Sequence, residues 1–144
     1  MSAENKIVLV DYKMGNYHSV TRSLNRIGVK STISSDPEII LSADRIILVG
    51  VGHFKKAMEN LHSLNLIDCL NNFALIQKKP VLGICLGMQL MANFGEEGNC
   101  NGLGWLDGKI KKFQVANKLK FKIPHTGWNQ IYHLKDSPLM HKIP

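Results

Sequence analysis

The chain opens with a continuous apolar run, Ile7-Val8-Leu9-Val10, that stops at Asp11. Four apolar residues bounded by polar ones suit a strand buried on both faces. A second buried run and a third strand follow. Ile46-Ile47-Leu48-Val49 leads into Gly50-Val51-Gly52, and Pro80-Val81-Leu82-Gly83-Ile84 leads into Cys85. Between the runs the apolar period lengthens to that of a helix. Val20, Leu24 and Ile27 recur at helical spacing over residues 17–27, with Gly28 placed to end the turn. Asp36-Pro37-Glu38 opens a second, short helix, with Asp as cap and Pro at the first helical position. Residues 29–33 read as a short strand, 54–78 as one or two amphipathic helices, and 86–94 as a further helix. This β-α-β-α order implies a mostly parallel sheet with helices on both faces. After Gly102 the texture changes to alternation and turns, which predicts an antiparallel edge or excursion.

In open α/β sheets the reactive groups collect where strands end. Three loops meet that description: residues 11–16, residues 50–53 and the turn at Cys85. The strongest local signal is Gly83-Ile84-Cys85-Leu86-Gly87-Met88-Gln89. A nucleophile on a tight strand-to-helix turn has small residues two before and two after it, because the backbone packs closely at both places. Such a turn exposes the thiol, the helix start favours the reactive thiolate, and the next N–H, here that of Leu86, aims at a developing oxyanion. Taken alone, Gly-x-Cys-x-Gly fits a buried structural cysteine equally well. The surroundings favour chemistry. Gln89 lies one helical turn after Cys85 on the same face, and the Gly50-Val51-Gly52 backbone can supply a second oxyanion donor. Cys69 reads as helix core and Cys100 as a loop thiol. Three cysteines without Cys-x-x-Cys spacing argue against both a zinc knuckle and a disulfide framework.

Lysine and arginine number 18 against 11 acids, a net charge of +7. Such a surplus raises the question of nucleic acid. Six basic residues lie between Lys109 and Lys122, three of them alternating in Lys118-Leu119-Lys120-Phe121-Lys122. Alternation puts the lysines on one strand face, and a solvated face is the reading we favour. With no zinc-finger spacing, aromatic RNA-binding signature or arginine cluster, no nucleic-acid partner is expected. An acidic protein partner or an anionic substrate accounts for the charge equally well. No apolar run approaches the ~18 residues of a membrane helix, and the first run is shorter than the about 7–15 of a signal-peptide core. A cytoplasmic protein without a membrane partner is expected. No histidine and carboxylate cluster has metal-ligand spacing, so we expect no metal and no cofactor.

Four motifs together resemble a known family. Asp11-Tyr12-Lys13-Met14-Gly15-Asn16, Val49-Gly50-Val51-Gly52, the Cys85 motif and Pro124-His125-Thr126-Gly127-Trp128-Asn129 occur in the order found in the triad-type (class I) glutamine amidotransferases. The resemblance spans residues 7–129, and it implies a flavodoxin-like α/β sheet. It also implies roles. Cys85 attacks the side-chain amide of glutamine, and Leu86 and Val51 supply oxyanion N–H groups. Gly50, Gly52, Gln89 and Glu97 hold the substrate, Glu97 by its α-ammonium. Asn16, His125, Trp128 and Asn129 face a partner. The two outer motifs are most similar to those of subunits that form a heterodimer with a (β/α)8-barrel cyclase in histidine biosynthesis. The alternatives are a related barrel partner in another pathway, such as surface-sugar amidation, or an inactive subunit that only binds its partner.

The sequence departs from the family pattern in three places. Val49 stands where Pro is usual and Lys13 where Gly is usual. A cysteine nucleophile of this type also needs a histidine base oriented by a carboxylate, which the family draws from a His-Pro-Glu motif. None of the six histidines here has Glu two residues on. Residues 1–144 are therefore read as one type 1 amidotransferase domain truncated at its C-terminus, carrying the nucleophile without its base. His53 reads as a loop residue beside the oxyanion glycines, and His18, His62, His133 and His141 as surface residues. We expect a glutamine-shaped electrophile to label Cys85 ahead of Cys69 and Cys100. Peptide mass spectrometry that maps the label mainly to Cys100 would refute the assignment.

Overall fold

The apolar runs fall side by side. A computed structural model describes residues 5–116, 122–124, 126–132, 134–135 and 137–141. Strands β1 (Ile7–Val10), β2 (Ser31–Ser34), β3 (Arg45–Gly50) and β4 (Val81–Cys85) form one sheet in the order β2-β1-β3-β4, with every pair parallel. The connections are helices α1 (Tyr17–Arg26), α2 (Pro37–Leu41), α3 (Phe54–Ser63) and α4 (Ile67–Asn71), the last continuing into a π-helical turn over Asn72–Ile76. Helix α5 (Leu86–Gln89) follows β4 without a break.

The period-2 rule sorts the strand residues between two cores. Val8, Val10, Ile46 and Leu48 join Phe54, Leu61, Leu70 and Phe73 on one face. Leu9, Ile47 and Val49 meet Tyr17, Val20 and Leu24 of α1 on the other. The central strands β1 and β3 are buried on both faces and need apolar residues at consecutive positions, so they read as unbroken runs, whereas β4 lies at the edge of the sheet and leaves Leu82 exposed. The helix starts follow the sequence reading. Asn16 Oδ1 accepts from the Ser19 N–H at 3.4 Å and caps α1, and Asp36 Oδ1 accepts from the Glu38 N–H at 2.9 Å with Pro37 at the first position of α2.

One expected element is replaced. The helix expected over residues 86–94 ends at Gln89, and Ala92–Gly95 form a strand, β5. The carbonyls that a continuing helix would use are taken. Leu90 O accepts from the Leu103 N–H at 2.7 Å, Met91 O from Trp105 at 2.8 Å and Leu106 at 2.9 Å, and Ala92 O from Gly104 at 3.2 Å. Tertiary pairing thus overrides a helical pattern that nothing in the local sequence interrupts. Strand β5 is the middle of a second sheet, antiparallel to β6 (Cys100–Asn101) and parallel to β7 (Leu106–Ile110). The antiparallel edge expected after Gly102 is not there: β7, the strand that follows, runs parallel to β5, and the antiparallel pairing lies before that residue, at β6.

The chain divides into two compact units, Met1–Lys112 and Phe113–Pro144. The first holds both sheets. Within the second, Pro138–Met140 form one 3-10 turn, and Trp128, Ile131, Tyr132 and Leu134 are exposed. Of the lysine-alternating strand expected over residues 118–122, only Lys122 lies within the described residues. Among these, no helix is long and apolar enough to cross a membrane.

Burial pushes the ionisation of Tyr12, Tyr17 and Cys69 above ordinary phenol and thiol values. A group whose pKa is raised by folding contributes stability that is complete below its unfolded value and is lost as pH rises through the folded one. Stability should therefore decline from pH about 8.5, where an unfolded thiol ionises, and more steeply beyond about 10, where an unfolded phenol does. Urea midpoints measured across that range test this, and a flat profile to pH about 11 would contradict it.

Candidate active site

Cys85 is the last residue of β4 and immediately precedes α5. Its backbone sits at φ 54°, ψ −116°, a region that non-glycine residues rarely enter. Such strain persists only where the surroundings impose it, and here two close approaches do so. A Cβ at Gly83 would lie 2.5 Å from Met88 Cα and 2.7 Å from Met88 N, and a Cβ at Gly87 would overlap the Leu48 carbonyl oxygen. Strand and helix are thus pressed together on both sides of the cysteine, which leaves its side chain exposed. The structure realises the strand-to-helix elbow that the glycine spacing predicts.

The two candidate oxyanion donors flank this turn. Leu86 begins α5, so its N–H is one of those that no carbonyl within the helix takes up. The second arm lies on β3, where Gly50 is in register with Cys85. Gly50 must be glycine, since a Cβ there would meet Tyr12 Oη, with Gly87 N and Leu86 Cβ each 2.8 Å away. The Val51 N–H, expected to serve the oxyanion, donates instead to the Met14 carbonyl at 2.6 Å. An oxyanion at Cys85 can use it only once that bond is released. Gly52, at φ +117°, turns the chain over Met14, whose Cε lies 2.9 Å from where a Cβ would stand.

The other candidates are placed as follows. Gln89 is half-buried at the end of α5. Glu97, in the turn before β6, accepts from the Phe54 N–H at 2.7 Å and so caps α3. His53 is exposed and is the residue before α3. Lys13 pairs with Asp11 at 2.7 Å. Burial opposes ionisation of Asp11, but the hydrogen bonds and charge of Lys13 outweigh it and hold the carboxyl below its ordinary value. Trp128 and Asn129 belong to the second unit and are exposed there. His125 and His133 lie outside the described residues. The other two thiols differ from Cys85 in setting. Cys69 is buried, and burial raises its thiol; Cys100 is half-buried in β6, and burial raises it too.

Comparison with known proteins agrees with this geometry. The model of the class-I glutamine amidotransferases matches residues 8–144. This chain belongs to that family. It is 48% identical over 134 residues to an imidazole glycerol phosphate synthase subunit HisH 1 of Campylobacter jejuni (strain 81-176), covering 92% of this chain and 66% of the relative. It is also 48% identical over 125 residues to a subunit HisH 2 of Methanococcus maripaludis, covering 87% and 61%. The corresponding subunit of Pelagibacter ubique is 41% identical over 142 residues, covering 95% and 68%. The chain thus spans about two thirds of the length of these curated relatives. A crystal structure titled as a glutamine amidotransferase shares the fold at TM-score 0.62 and 16% identity, covering 78% of this chain and 59% of that one. The amidotransferase fold accounts for the parallel sheet and for the elbow at its edge.

Sequence reasoning passed over two residues of this site. Met14 holds the Val51 N–H, and Tyr12 fills the space against Gly50. The available signal is a tyrosine two residues after a strand that reads as buried on both faces. The elbow also yields a test with its own control. Gly87→Ala should destabilise the fold by more than the ~1–3 kcal/mol of ordinary overpacking, because the clash is with backbone. Gly108→Ala, where nothing lies within 4 Å of the added Cβ, should stay within about 0.5 kcal/mol. Chemical denaturation of both variants decides, and equal midpoints would remove the packing argument.

Proposed function

We propose that this chain, residues 1–144, is one amidotransferase domain that supplies the cysteine nucleophile of a glutaminase. In this reading it is the glutaminase subunit of an imidazole glycerol phosphate synthase and forms a cytoplasmic heterodimer with a (β/α)8-barrel cyclase. The observation that carries the reading is the exposed Cys85 in its strained elbow, aligned with Gly50 across the sheet edge. The relatives named as HisH subunits support the choice of pathway and partner.

The reaction begins when Cys85 Sγ attacks the side-chain carbonyl carbon of glutamine. Negative charge moves to the carbonyl oxygen, which the N–H groups of Leu86 and Val51 would stabilise where charge develops. The carbon–nitrogen bond then breaks, ammonia leaves, and a γ-glutamyl thioester remains for water to cleave to glutamate. Gly50, Gly52, Gln89 and Glu97 hold the substrate. Glu97 already spends one oxygen on the Phe54 N–H, and its second is the one suited to an α-ammonium group. The partner-facing residues are Asn16, His125, Trp128 and Asn129. Ammonia is protonated in bulk water, so the product must pass directly to the cyclase.

Proton transfer to and from the reacting groups is worth about 10²–10⁴-fold. No His-x-Glu occurs among these residues to provide it. The 144-residue chain alone should release glutamate from glutamine at a negligible rate. Fusion to the C-terminal segment of a close relative, with its His-Pro-Glu, should give turnover that Cys85→Ala abolishes. Brisk turnover by the short chain would place the base elsewhere, with His53 and His125 the first suspects. An extended chain that stays inert would overturn the glutaminase reading.

A further inference from the structure

Tyr12 stands two residues beyond the end of β1 and is fully buried. Among the described residues its hydroxyl has no hydrogen-bond partner. A buried hydroxyl left unpaired costs free energy, so its persistence calls for a reason. The oxygen has not strayed there. The Tyr12 N–H donates to Tyr17 Oη at 3.1 Å, and its carbonyl accepts from Asn60 Nδ2 at 3.0 Å. Its ring packs in the larger core with Val10, Leu48 and Leu86. The backbone is fixed at both ends and the phenol is aimed at one place.

That place is the junction of the two oxyanion arms. The position of a Cβ on Gly50 is where Tyr12 Oη, Gly87 N and Leu86 Cβ converge. Gly50 itself is buried. The peptide joining Gly50 to Val51 is planar, with its C=O and N–H pointing in opposite directions. Its N–H is now on the Met14 carbonyl at 2.6 Å. When that N–H turns to an oxyanion on Cys85, the Gly50 carbonyl must turn with it and needs a donor in buried surroundings. Tyr12 Oη is an unengaged donor already in contact with Gly50.

We propose that Tyr12 is a positioning residue of the oxyanion loop, its hydroxyl donating to the Gly50 carbonyl when the Val51 N–H is committed to the substrate's oxyanion. The inference rests on the glutaminase reading above. It explains why the hydroxyl stands unpaired while the Val51 N–H is held by Met14, and why it stands against the one peptide that has to change partner. Burial raises the phenol's ionisation, helped by the proximity of Tyr17 and Cys85, so it remains a donor at neutral pH.

The test compares wild type, Tyr12→Phe and Cys85→Ala as the 144-residue chain. The probe is the γ-p-nitrophenyl ester of glutamate. Cys85 sulfur bonds to its carbonyl carbon, the ester C–O bond breaks, and p-nitrophenolate leaves with the electron pair while the thiol proton passes to buffer. No acid is needed for this leaving group, so the missing histidine does not silence the reaction. Iodoacetamide, attacked at a saturated carbon, forms no oxyanion and serves as the control. For Tyr12→Phe we expect a nitrophenolate burst slowed by about tenfold, less than the ~10²–10³-fold for losing an oxyanion donor outright. Its iodoacetamide rate should stay within about twofold of wild type, and its urea midpoint should be equal or higher because an unpaired hydroxyl has been removed. An unchanged burst overturns the Tyr12 role alone. A lowered midpoint with both reactions slowed together marks a structural tyrosine and overturns it as well. A wild-type chain that is alkylated yet gives no Cys85-dependent burst overturns the glutaminase reading and this inference with it.

Discussion

The approach of α5 to β3 is the constraint from which the site follows. At Gly87 the helix backbone comes so near the Leu48 carbonyl that even a methyl group is excluded. With the helix held there and Gly83 equally crowded by Met88, the residue between has one way to turn, and Cys85 takes the left-handed conformation that throws its sulfur outward. The strain of such a residue, about 1–3 kcal/mol, is carried by the packing around it. The same approach sets Leu86 at the helix start and brings Gly50 into register opposite the thiol. The exposed thiol, the helix start at Leu86 and the register of Gly50 are thus consequences of a single packing contact.

A second layer governs the conformation of the loop after Gly50. The loop after β1 and the loop after β3 are joined by the Val51–Met14 hydrogen bond, and Tyr17 gathers the first loop by accepting from both Tyr12 and Met14 N–H groups. The oxyanion loop therefore takes its conformation from residues some 35 positions earlier in the chain. Substitutions in the first loop would therefore act on residues 50–52 through the backbone bond that joins the two loops.

Much of this was legible in the sequence because the rules involved are local. Unbroken runs such as Ile7-Val8-Leu9-Val10 announce two-sided burial, Asp36-Pro37 announces a helix start, and Gly-x-Cys-x-Gly announces a turn too tight for side chains. The failures were non-local. Residues 90–94 continue a helical pattern, and only the carbonyl pairing by residues 103–106 turns them into a strand. The engagement of the Val51 N–H and the unpaired Tyr12 hydroxyl likewise arise from contacts between loops distant in sequence, which periodicity does not encode.

The cap on α3 has a bearing on how the chain reaches this structure. Helix α3 begins without a side-chain cap of its own, and its first N–H is satisfied by Glu97, 43 residues later. A local cap assists its helix as soon as the helix forms, whereas this one acts only after β4, α5 and the second sheet have been assembled. Contacts of such long separation slow folding because a large loop must close before they contribute. The start of α3, next to Gly50-Val51-Gly52, is therefore completed only when the turn that carries Glu97 is in place.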